Sequence, residues 1–133
     1  MSYAGWSTWL VIALGSGLGG VLRQVMTEAV VRWAGVEFPL GTLTVNVVGS
    51  LAIGMCVALS TAAGPATWTP IARHVTMTGL LGGFTTFSTF SAQTLTLVQQ
   101  GQWGAAAANA LLSVALGVAA CSAGYSLVAS AWR

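Results

Sequence analysis

Long apolar runs separated by short polar connections take up almost the whole chain. Runs able to cross a bilayer as a helix, which takes about 20 residues, occur four times: roughly Trp9 to Val31, Leu40 to Leu59, Val75 to Val98 and Gly104 to Ala131. The connections around Glu37, Pro65 to Pro70 and Gln99 to Gln102 are short and carry the Pro, Gly and Gln residues of turns. The pattern predicts an all-α membrane protein, a single four-helix transmembrane domain over residues 1–133 with no internal repeat. Trp6, Trp9, Trp33, Trp68, Trp103 and Trp132 fall at or near the span ends, where aromatic belts sit.

Polar and small residues interrupt these runs at helical spacing. In the first span Gly15 and Gly19 stand four apart, as do Ser16 and Gly20, which allows another helix to approach closely. Arg23 follows, at a depth where a guanidinium must snorkel, pair or face a protein interior. Glu28 and Arg32 stand at i,i+4 and read as an ordinary surface pair. Pro39 suits the opening turn of the second span. There Thr42, Asn46, Gly49 and Ser50 recur at three- and four-residue steps and mark one small, polar face. Asn46 either clamps a neighbouring helix or lines a hydrated path, because an amide in a bilayer needs partners. In the fourth span Asn109, Ser113, Gly117 and Cys121 share a line that serves equally well as helix glue or as the wall of an ion path.

The third span holds the least ordinary stretch, GLLGGFTTFSTFS from Gly79 to Ser91. Each glycine weakens a helix interior by about 1 kcal/mol relative to alanine, so the cluster Gly79, Gly82, Gly83 predicts a break. Broken backbone at membrane depth is tolerated where protein covers it or where it lines a cavity, and its freed carbonyls can coordinate a cation. Phe84, Phe87 and Phe90 lie three apart, the spacing of a core stripe. A benzene ring also has a positive edge, which can receive a small anion without trapping it.

Composition narrows the function. Of the 133 residues 56% are hydrophobic and 5% charged, with no lysine and no aspartate; the charges are Arg23, Arg32, Arg73, Arg133, Glu28 and Glu37. No basic cluster exists for nucleic acid, and no nucleophile, base and orienting group recur at usable spacing, so an enzyme is not expected. No basic residue precedes the first run, which reads as a retained span. Cys56 and Cys121 lie inside apolar segments and predict neither a disulfide nor a metal site. Arginines are split almost evenly between the two sides, so the positive-inside rule sets no orientation. One four-helix unit would leave Asn46, Ser113 and the third-span hydroxyls partly enclosed. The expectation is therefore a homodimer of inverted protomers in contact with membrane lipid.

At this point the chain resembles the Fluc or CrcB fluoride channels over essentially its whole length. The resemblance is carried by Gly19-Gly20-Val-Leu-Arg23, by Gly41-Thr42-Leu-Thr44-Val-Asn46-Val-Val-Gly49 and by the Gly79 to Ser91 stretch. It implies an antiparallel, dual-topology homodimer in the bacterial plasma (inner) membrane, multi-pass, with two fluoride pores and the third helix broken. By motif position Phe87 and Phe90 match the ring-edge phenylalanines and Asn46 the pore amide. Asn109 and Ser113 match the fourth-helix polar track, and Arg23 the vestibule arginine. Thr42 and Ser88, from the same motifs, are also assigned to the fluoride pathway. Gly82 and Thr85 match positions whose backbone carbonyls hold a central structural sodium ion. Gln93 stands where the motif is often followed by Ser-Ala-Glu-Thr, and Gly117 where a hydroxyl is expected after Ser113.

The resemblance implies passive export of cytoplasmic fluoride. An inside-negative potential of about 100 mV favours exit of one negative charge by about 2.3 kcal/mol, roughly fiftyfold in concentration. The alternative is a small dual-topology, proton-coupled multidrug transporter, for which Glu28 lies close to the end of its span. A third reading is a purely structural subunit.

Overall fold

The computed structural model describes residues 5–61 and 68–131; Gly64, Pro65, Trp132 and Arg133 lie outside them. Among the described residues the chain is helical throughout, without strands. Three helices are long and apolar enough to cross a membrane: α1 (Trp6–Ala34), α2 (Leu40–Thr61) and the last, Trp103–Ser130. The protein is thus a multi-pass membrane protein. The stretch expected as the third span is divided. A short helix α3 (Pro70–Arg73) runs into a π-helical segment (His74–Leu81) and a single turn α4 (Gly82–Phe84). Helical conformation then lapses at Thr85 and Thr86 and resumes as α5 (Phe87–Gln99), which is followed by α6 (Trp103–Ser130).

The helices begin and end where local chemistry dictates. The Thr69 hydroxyl caps α3 by accepting from the Ala72 N–H, with Pro70 at the first helical position. Gly35 closes α1 at φ 81°, a conformation that other residues adopt only at a cost, and its N–H donates to the Val31 carbonyl at 2.9 Å. Trp6, Trp33 and Trp103 stand exposed at helix ends, as an aromatic belt requires. Glu28 and Arg32 form the expected exposed pair at 3.5 Å, an interaction that contributes little.

Glycine contacts decide the packing. The α1 face read from Gly15 and Gly19 lies against the π segment and α4. A Cβ on Gly19 would strike the Leu80 carbonyl oxygen, one on Gly83 would strike Ser16 backbone, and a Cβ on Gly15 would crowd the Gly79 Cα at 3.2 Å. The second contact joins α2 and α6, where a Cβ on Gly54 would strike the Cys121 carbonyl and one on Gly124 the Leu51 carbonyl. With lipid on the outside, such close backbone approach supplies the packing that water would otherwise drive. Gly54→Ala and Gly124→Ala are each expected to destabilise the chain by about 1–3 kcal/mol through overpacking. Thermal unfolding in detergent checks this, and unchanged midpoints would mean that α2 and α6 can slide apart without cost.

The glycine cluster of the third span therefore does not itself break the helix. Gly79, Gly82 and Gly83 remain helical, two of them pressed on α1, and the interruption falls just beyond, where side chains from elsewhere compete for the backbone. Phe84 is buried on the near side of the interruption, so the expected three-ring stripe reduces to Phe87 and Phe90 on α5.

Candidate functional site at the helix interruption

The interruption is held from two directions. Asn46, at the middle of α2, donates from Nδ2 to the Thr86 carbonyl at 3.1 Å and accepts the Thr86 N–H on Oδ1 at 2.8 Å. One side-chain amide thus satisfies both backbone groups of a buried residue, so Asn46 is a clamp. The Thr86 hydroxyl caps α5 by accepting the Thr89 N–H at 3.2 Å, and it donates to Thr89 Oγ1 at 3.0 Å. In an unbroken α-helix the Thr86 N–H would bond the Gly82 carbonyl and the Thr89 N–H the Thr85 carbonyl. Both donors are diverted to side chains, and those two carbonyls are released.

Two cavities meet at this clamp. The first, about 300 Å³, is walled by Asn46, Ser50, Thr85, Phe87, Phe90 and Ser113, with Thr86 between them. The Phe87 and Phe90 ring centroids are 5.4 Å apart and tilted by 49°, within the range aromatic pairs prefer. Phe87 is 78% exposed, an unusual surface position for a ring. The second cavity, about 270 Å³, is walled by Arg23, Gln24, Thr27, Thr42, Thr89 and Gln93, and again by Thr86. A guanidinium and several hydroxyls and amides face it with no carboxylate, and Arg23 makes no ion pair among the described residues. We call these the ring cavity and the arginine cavity. Thr86 is the wall they share. The positive end of α5 starts beside it.

Most residues singled out in the sequence converge here. Asn46, Phe87, Phe90 and Ser113 line the ring cavity, while Arg23 and Thr42 line the arginine cavity. Gly82 lies on the near side of the interruption and Thr85 within it. Ser88 stands exposed in the first turn of α5, its hydroxyl 3.3 Å from Thr86 Oγ1, and lines neither cavity. Asn109 is only 2% exposed and donates to Thr94 Oγ1 at 2.8 Å, tying α6 to α5 away from both cavities. The Thr94 hydroxyl in turn donates to the Phe90 carbonyl at 2.8 Å.

Sequence reasoning missed Thr86 and Thr89, and set Gln93 apart only as a departure from the family's motif. The signal was available: Thr86, Thr89, Gln93, Thr96 and Gln100 follow one another at steps of three and four, a polar stripe along one face of α5. The adjacent phenylalanines drew attention to the other face.

The family described as "CrcB-like protein, Camphor Resistance (CrcB)" matches residues 10–125. A protein of Opitutus terrae named "Fluoride-specific ion channel FluC" is 48% identical over 110 residues, 83% of each chain. Proteins of the same name from Paramagnetospirillum magneticum and Rhodospirillum centenum are 44% and 42% identical, covering 82% and 92% of this chain and 85% and 95% of their own. With the match running through α1, the clamp, both cavities and most of α6, the chain belongs to the CrcB family.

Proposed function

We propose that this chain is a passive, fluoride-selective ion channel that lets cytoplasmic fluoride leave a bacterial cell through its inner membrane. The observation that carries the reading is the pair of cavities sharing Thr86, one facing a guanidinium without a counter-carboxylate and the other facing two phenylalanine rings. Arg23 concentrates anions in the arginine cavity. Thr42 and Ser113 offer hydroxyls in place of part of the hydration shell, and Phe87 and Phe90 present ring edges in place of a full positive charge. Export follows the membrane potential.

An inverted homodimer with two antiparallel pores, each chain crossing four times with its third span broken, is part of the same proposal. Its support is the 78% exposure of Phe87 and the apolar outer faces of α1 and α6, which a two-fold partner would cover twice. The Gly82 and Thr85 carbonyls fit a hard cation because their helical donors are diverted, and oxygen atoms are the ligands such ions take. In a dimer they would hold a structural sodium ion, which supplies positive charge that ties the two interruptions together.

Protein reconstituted in liposomes is expected to release loaded fluoride rapidly and chloride hardly at all; equal release of both would defeat the assignment. The proton-coupled transporter reading is not favoured. Glu28 stands exposed on α1, holding Gln24 at 3.0 Å and Arg32 at 3.5 Å. Glu28→Gln is expected to leave fluoride flux within about twofold, as for other exposed pairs, and a flux abolished by that change would restore the alternative.

A further inference from the structure

Both rings of the ring cavity ride on a helix with little packing of its own: of the residues in α5 only Leu97 is buried. Among the described residues, α5 and its cap receive side-chain hydrogen bonds from other helices at two places. Asn46 on α2 holds Thr86, one residue before α5 begins. Asn109 on α6, only 2% exposed, donates to Thr94 Oγ1 at 2.8 Å, two turns further along. Thr94 continues the ring face, since Phe87, Phe90 and Thr94 follow one another at steps of three and four. Its hydroxyl gives its one proton to the Phe90 carbonyl at 2.8 Å. In an α-helix that carbonyl also accepts the Thr94 N–H, and a second bond of this kind often bends the helix at that turn. A donor into Thr94 Oγ1 fixes which way the hydroxyl points and strengthens the bond it makes in turn.

We propose that Asn109 is a positioning residue for the Phe90 ring, acting through Thr94 and the Phe90 carbonyl without meeting the ion. This deepens the fluoride-channel reading and rests on it. The two amides sit on α2 and α6, whose backbones approach closely at Gly54 and Gly124, so one stiff helix pair carries both. They grip α5 on either side of the rings, at Thr86 and Thr94, about 12 Å apart at 1.5 Å per residue. Phe87 and Phe90 lie between these points. A helix held at Thr86 alone would swivel about that end and carry Phe90 further than Phe87. Ring edges act on an ion only in a defined orientation, and Asn109 stops the swivel that would spoil it. The polar line on α6 thus divides: Ser113 walls the ring cavity, and Asn109, one turn earlier, sets a ring that walls the same cavity.

The test joins flux to a direct view of the ring, in the full chain. In liposomes Thr94→Val, which keeps the shape and removes both links, is expected to slow fluoride release about threefold to tenfold. Thr94→Ser, which keeps the hydroxyl, is expected to recover most of that loss. Asn109→Leu is expected to slow release to a similar extent, and the double variant with Thr94→Val to be no slower than the worse single one, as for two members of one chain of contacts. In a Phe90→Ile background Asn109→Leu is expected to add nothing, whereas in Phe87→Ile it keeps its effect. In detergent, with para-fluorophenylalanine incorporated, the fluorine resonance that Phe90→Ile removes is expected to shift or broaden in Asn109→Leu, and more than the one that Phe87→Ile removes. Parental release in Thr94→Val, equal slowing by Asn109→Leu in both phenylalanine backgrounds, or an unmoved Phe90 resonance would each overturn the positioning role. A Phe90 resonance that moves in Asn109→Leu when the parent chain releases no fluoride would uphold the role and overturn the fluoride reading instead.

Discussion

Replacing Asn46 by leucine is expected to abolish fluoride flux and to destabilise the chain together. Leucine matches asparagine in size but offers nothing to the Thr86 N–H and carbonyl, which lie on a residue only 7% exposed. Leaving those two groups unpaired costs about 1–3 kcal/mol each. The loss also frees the start of α5, whose direction sets both cavities. Asn46→Asp separates the two effects. A carboxylate still accepts the Thr86 N–H, but it faces the Thr86 carbonyl without a donor and places negative charge on the wall of the ring cavity. Flux is expected to vanish in Asn46→Asp with a smaller loss of stability than in Asn46→Leu. Thermal unfolding in detergent and release from liposomes measure the two quantities. If Asn46→Leu unfolds at the parental temperature, the clamp described here is wrong.

Phe87→Ile and Phe90→Ile are expected to slow fluoride release while leaving the fold intact. An aromatic ring contributes about 0.5–1.5 kcal/mol beyond its buried area through its quadrupole, so each replacement is worth up to about tenfold in rate. The two positions separate packing from conduction. Phe87 is 78% exposed in the single chain, so isoleucine there removes little of the chain's own core, whereas Phe90 is half-buried against the cavity wall. A rate loss of similar size at both sites, with unfolding shifted only at Phe90, is the result expected of rings that meet the ion. Parental rates in both variants would remove the ring-edge mechanism.

The sequence made some of this arrangement legible and hid the rest for physical reasons. Gly15 and Gly19 announced a close helix contact because the absence of a side chain has one main use between membrane helices. Asn46 announced a satisfied amide, with clamp and path left open; the structure makes it a clamp on Thr86, with its side chain also part of the ring cavity wall. The site of the interruption was not legible. Glycine propensity pointed to Gly79–Gly83, yet those residues stay helical because their contact with α1 rewards a helical backbone. The true interruption depends on Asn46, forty residues away, and on a threonine turning its hydroxyl onto its own chain. Asn109 looked like a member of a polar line shared with Ser113, but a line on one helix does not say which neighbour each member meets. Ser113 faces the ring cavity, and Asn109, one turn earlier, meets Thr94.

The double hold on Thr86 bears on how such a channel could be regulated. Backbone outside a helix is where a membrane segment ordinarily bends, yet here each polar group of Thr86 is already engaged, from α2 on one side and from α5 on the other. Swinging α5 to shut either cavity would strand those groups together, away from water. The junction is a weld instead of a hinge. If the chain conducts as proposed, throughput at this junction is fixed by the chemistry of the walls and not by a bend in the third span.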